Sequence, residues 1–166
     1  MMIGVLIGVY VGDKISLIFF KNMMATIILA SGLMMVFLDR MTEDTVPDNK
    51  LFGAIMGSGA GFATMIGNVA GAFTNLYFLA LRYPKNKFIA TGAYLFFFIN
   101  LFKLPFHIFI WKTVSIHSIW GSAFLYPVAI VGFYIGLRLI KYLSNQVFRR
   151  YIIGITIVGA ILIFLK

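Results

Sequence analysis

Cysteine is absent from the 166 residues, which excludes disulfides, thiolate nucleophiles and cysteine-ligated metal centres. Acidic residues are nearly as scarce. All five lie before Asn49, so Asn49 to Lys166 contains eleven Lys/Arg and two His but no carboxylate. A pump or porter that moves protons or sodium on intramembrane carboxylates needs such groups in its spans, and this stretch has none. Long basic runs are also missing. The formal charge of +9 is spread singly and in small clusters between apolar spans, where it sets membrane orientation, and a nucleic-acid arm is excluded. Met1 leads directly into Met-Ile-Gly-Val-Leu without a charged leader or a small-residue cleavage site, so no cleavable signal peptide is expected.

What is present is apolar. Hydrophobic residues make up 61% of the chain, charged residues 11%, and the mean hydropathy is +0.98, against an apolar share of about 45–50% in soluble domains. Several runs reach the roughly 18–20 residues a helix needs to cross the hydrocarbon core, and no period-2 alternation suggests a membrane barrel. The expected fold is therefore an all-α membrane protein: a polytopic helical bundle in the lipid bilayer.

Along the chain, Gly4, Gly8 and Gly12 fall four apart, leaving one helical face bare for a neighbour. Asp13 to Phe20 reads as a short turn or interfacial helix and Asn22 to Leu38 as a span. The segment Asp39 to Lys50 holds four of the five carboxylates. A solvated loop explains it, and a metal site lacks histidines and a recognisable ligand spacing. Leu51 to Leu81 is too long for one untilted crossing and too short for two. The pattern predicts a broken or re-entrant pair of half-helices hinged at Gly67-Asn68, with the second half starting within Val69 to Thr74. Phe88 to Ile110, Ile116 to Leu139 and Tyr151 to Leu165 read as further spans, with a basic turn over Arg138 to Arg150. Charge bias places the turns 82–87 and 138–150 in the cytoplasm. It leaves the crossing of 51–81 open, because both topologies divide the loop cations nine against four.

An internal repeat is visible at an offset of 128 residues, which aligns Gly4 with Gly132, Gly8 with Gly136, Ser16 with Ser144, Phe20 with Phe148 and Lys21 with Arg149. Paired repeats of this kind build many transporters. Residues 1–48 then form the end of a first unit and 49–166 a complete second one. By the same logic the first unit would begin roughly 80 residues before Met1, predicting either a longer parent with an N-terminal half or completion of the fold by a homodimer.

The residues that carry chemistry cluster in the second unit. Asn100, Lys103 and His107 are spaced three and four apart, so they share one helix face. A cation in hydrocarbon costs about 2.5–3.5 kcal/mol on the lenient scale and therefore faces a partner, a cavity or the interface. Snorkelling to the interface is the bland alternative for Lys103. With no acid in the unit, a bound anion is the natural counter-charge. The break at Gly67-Asn68 adds a half-helix N-terminus, which suits anions, and Asn68, Thr74 and Asn75 add neutral hydrogen-bonding groups. Glycines 53, 57, 61, 67 and 71 are also explained by close packing alone. Tyr77, Tyr94, Trp111 and Trp120 read as packing or interface aromatics rather than a cofactor box. No nucleophile, base and orienter sit together, so neither an enzyme nor a cofactor is expected.

The string GNVAGAFTNLYFLALRYPKNKFIATGAYLFFFINLFKLPFHIFIWKT resembles the second repeat of the sulfite exporter TauE/SafE family of anion permeases. The matching features are Gly67-Asn68 with Gly71, Pro84-Lys85-Asn86 with Phe88, Thr91 with Ala93, and Asn100, Lys103 and Pro105. Ala72 and Phe73 depart from the pattern, where many members carry proline. The resemblance implies two related four-segment halves in the cell inner membrane and small sulfur oxyanions such as sulfite or organosulfonates as cargo. The expected substrate-binding set is Gly67, Asn68, Gly71, Thr74, Asn75, Thr91, Asn100, Lys103 and His107. A membrane assembly module that binds a partner protein through its glycine faces is the alternative.

Overall fold

The computed structural model describes residues 1–12, 14–40 and 50–165. The polar loop with Glu43, Asp44 and Asp48, weighed above as a metal site, lies outside them, as does Asp13. Among the described residues the regular elements are all helices: α1 (Met2–Gly12), α2 (Leu17–Arg40), α3 (Lys50–Gly67), α4 (Gly71–Ala80), α5 (Lys85–Pro105), α6 (Ile116–Tyr142) and α7 (Asn145–Leu165). A π-helical turn, Phe106–Ile110, follows α5 directly. Four stretches are long and apolar enough to cross a bilayer: Ile18–Arg40, Lys85–Ile110, Ile116–Tyr142 and Asn145–Ile163. Their broad exposed apolar surface, including Phe97, Phe98, Phe124 and Leu162, is what a helix bundle presents to lipid rather than to water.

Helix α4 has only ten residues, about 15 Å at 1.5 Å per residue, half the hydrocarbon thickness. The α3–α4 pair is thus a broken one, as its glycine-interrupted sequence predicts. The second half begins at Gly71, and Asn68 at the break has φ 56°, a left-handed conformation that Asn tolerates better than most residues.

Close backbone approach explains the glycine spacing. Gly4 of α1 lies against the Ser58 carbonyl of α3, and Gly61 of α3 against the Met1 carbonyl, so a Cβ at either would collide with backbone. Gly8 packs on Met65 and Gly12 on the Trp111 ring. Gly67 lies under the Phe20 ring, whereas Gly53 faces Tyr77. At the basic-turn end, Phe88 meets Phe78 and Phe148 edge-on at 5.1 and 5.3 Å, joining α4, α5 and α7 in one aromatic cluster.

Three element boundaries differ from the sequence reading. Among the described residues no separate interfacial helix precedes α2, whose first turn begins at Leu17, with the Ser16 hydroxyl accepting from the Phe19 amide at 3.4 Å. The basic turn expected over 138–150 shrinks to Leu143 and Ser144 between α6 and α7. The α-helical part of the Phe88–Ile110 span instead starts at Lys85 and ends at Pro105. Pro105 has no amide hydrogen for the α-helical ladder, and the chain widens into the π turn just beyond it.

The offset of 128 residues has a local structural counterpart. Ser144 repeats the Ser16 cap, accepting from the Val147 amide at 3.3 Å, and the next backbone bonds correspond as well, Phe20 to Ser16 and Phe148 to Ser144. Helices α2 and α7, which follow these caps, pack on each other and are joined by an Arg149–Asp39 ion pair at 3.0 Å. Helix α6 has no buried residue. Its C-terminal carbonyls are gathered by Lys85, whose Nζ donates to Ile140 O at 2.9 Å, Lys141 O at 3.3 Å and Leu143 O.

Candidate functional site

The site is built where the broken helix meets α5. Helix α3 ends there because Asn68 turns left-handed: its amide still reaches Thr64 O at 3.1 Å, and the Val69 amide reaches back to Ala63 O at 3.2 Å. The Thr64 carbonyl is thus one of the last of its helix, at the negative end of the dipole. Thr64 and Asn68, four apart, project from the same face, and the Thr64 hydroxyl lies 3.4 Å from Asn68 Oδ1.

Lys103 comes to this end from α5. It is 8% exposed, and its Nζ donates to Asn68 Oδ1 at 2.7 Å and to Thr64 O and Thr64 Oγ1 at 3.2 Å each. Snorkelling is therefore not its fate. The ammonium points inward, with three neutral oxygens around it and the helix dipole favouring its charge. Uncharged acceptors satisfy its hydrogens without cancelling its charge.

Beside this cluster lies a cavity of about 500 Å³, within the usual range for small-molecule sites. Its walls are Thr64, Met65, Ile66, Gly67 and Asn68 from the broken helix, and Asn100, Lys103 and His107 from α5 and the π turn. No carboxylate is among them. His107 Nδ1 lies 2.9 Å from Thr113 Oγ1, and its ring meets Trp111 edge-on at 5.3 Å, so the imidazole is oriented by its own turn. Trp111 Nε1 in turn donates to Val9 O at 3.4 Å, fastening this end of α5 to α1.

Five of the nine residues expected from the sequence thus line one cavity: Gly67, Asn68, Asn100, Lys103 and His107. The other four are placed elsewhere. Gly71 and Asn75 lie on the first turns of α4, and Thr74 is buried there with its hydroxyl donating back to Ala70 O at 3.1 Å. Thr91 precedes Lys103 by twelve residues on α5, about 18 Å of helix. Thr64 was missed by sequence reasoning. The signal that finds it is its position four residues before Asn68, which puts both on one helix face.

These features define a class, a multi-pass helical membrane protein with a cation-walled cavity at a broken helix. The chain belongs to the sulfite exporter TauE/SafE family, whose family model matches residues 1–163. That family is one of membrane transporters of sulfur anions. No curated protein and no solved structure matches the chain significantly.

Proposed function

We propose that this chain is a permease, or part of one, for small sulfur-containing oxyanions such as sulfite or organosulfonates in the cell inner membrane. We further propose that residues 1–48 and 49–166 belong to two related units, a reading supported by the matching Ser16 and Ser144 caps. The observation that carries the anion assignment is Lys103. A cation held in the wall of a 500 Å³ cavity without a carboxylate among the lining residues leaves the cavity with uncompensated positive charge. An oxyanion about 4 Å from that ammonium gains about 4 kcal/mol at an effective dielectric of 20. Asn100 and His107, on the same helix face as Lys103, supply hydrogen-bonding groups to orient the oxygens, while Met65 and Ile66 line the wall from the broken helix.

The alternative of an assembly module loses the face formed by Gly4, Gly8 and Gly61, which α1 and α3 use against each other, and keeps the open glycines of α6 and α7. Flux in proteoliposomes decides between them. Wild-type protein should carry labelled sulfite or a sulfonate, and Lys103→Ala should lower the rate at least tenfold while the protein stays folded. Unchanged flux in the variant would remove Lys103 from the site.

A further inference from the structure

The three oxygens around the Lys103 ammonium are themselves a site. Thr64 O, Thr64 Oγ1 and Asn68 Oδ1 converge on one point at 2.7–3.2 Å, and all come from the end of one helix and the break that follows it. None belongs to a carboxylate, and the dipole of α3 favours positive charge there. Carbonyls at half-helix C-termini and unwound backbone are the groups with which membrane transporters coordinate monovalent cations. Lys103 reaches the point from a different helix, at the end of a flexible four-carbon stem.

We propose that these oxygens form a monovalent-cation socket, occupied in this structure by the Lys103 ammonium as a tethered cation, and that a free cation of ammonium or potassium size takes the socket when Lys103 leaves it. The departure has a direction, since the Lys103 side chain also borders the cavity. An anion bound there draws the ammonium away from Asn68 Oδ1, and an inorganic cation replaces it, so that anion and cation are held together. This exchange rests on the reading of the cavity as an anion site, whereas the socket itself does not.

The test uses the full chain in detergent with Lys103→Ala, which empties the socket and leaves its three oxygens in place. Melting is followed in ammonium chloride, potassium chloride and N-methylglucamine chloride at equal ionic strength, so that the anion is constant. Ammonium or potassium should raise the melting temperature of Lys103→Ala by about 3–6 °C at ten times the dissociation constant, with little effect on wild type. Adding Thr64→Val and Asn68→Ala should abolish the rise. A rise that persists after these changes, or a folded Lys103→Ala that melts identically in all three salts, overturns the socket. Lys103→Ser is read in the same way if the alanine variant does not survive extraction. Failure of both to fold in ammonium salts also counts against the proposal, because the added cation should replace the missing charge. A wild-type stabilisation by sulfite is measured separately, so loss of the anion reading and loss of the socket remain distinguishable.

Discussion

Substituting Asn68 separates the two roles the structure gives it. Its Oδ1 accepts the shortest of the Lys103 bonds, 2.7 Å, and hydrogen bonds to charged groups contribute about 1.5–3 kcal/mol. Its backbone is left-handed at φ 56°, which costs an ordinary L-residue about 1–2 kcal/mol and glycine almost nothing. Asn68→Ala incurs both losses, for a destabilisation of about 2.5–5 kcal/mol. Asn68→Gly incurs the bond loss plus about 0.4–1 kcal/mol for the greater freedom of the unfolded chain. Taking the middle of each range, glycine should therefore retain on the order of 0.8 kcal/mol more stability than alanine, an inversion of their order in an ordinary helix. Reversible unfolding in mixed micelles, followed by far-UV circular dichroism, measures both variants against wild type. An alanine variant as stable as the glycine variant would refute the left-handed break, and a wild-type-like stability for both would refute the bond to Lys103.

The packing of α1 on α3 makes Gly4→Leu a severe change, since its Cβ would meet the Ser58 carbonyl and the Phe62 amide. A loss of about 1–3 kcal/mol is expected, whereas Gly132→Leu, with nothing within 4 Å of its Cβ, should stay within about 0.5 kcal/mol of wild type in the same unfolding assay. Lys85→Met removes the donor that gathers the α6 C-terminal carbonyls. It should broaden the spin-label distance between positions 89 and 137 and accelerate amide exchange in the α6–α7 turn by about tenfold or more.

Much of the site was legible because its residues obey local rules. Asn100, Lys103 and His107 fall on one face by helix periodicity alone, and they line one cavity. Gly67-Asn68 announced the break, and the backbone at Asn68 carries it. The destination of the Lys103 ammonium was not legible. Whether it snorkels or turns inward depends on acceptors at the end of α3 and in the break after it, 39 and 35 residues away in sequence, and no spacing rule connects them to α5. Thr74 was no more legible in this respect. Its hydroxyl sits near the break in sequence but bonds within its own helix, a local alternative open to any helical threonine. Helix α2 begins at Leu17, ahead of the Asn22–Leu38 span the apolar run predicts, because the Ser16 hydroxyl caps its first turn.

The central claim is that the cavity beside Lys103 takes a small sulfur oxyanion. Its most direct test is equilibrium binding to purified wild-type protein, titrating sulfite and a short sulfonate against acetate at fixed ionic strength with N-methylglucamine as the cation, which keeps the socket of Lys103→Ala empty. Sulfite or the sulfonate should bind saturably, with affinity falling about ten- to a hundredfold in Lys103→Ala, from the loss of about 1.5–3 kcal/mol. Wild-type protein that binds neither, or a Lys103→Ala variant that binds them as tightly as wild type, would contradict the account.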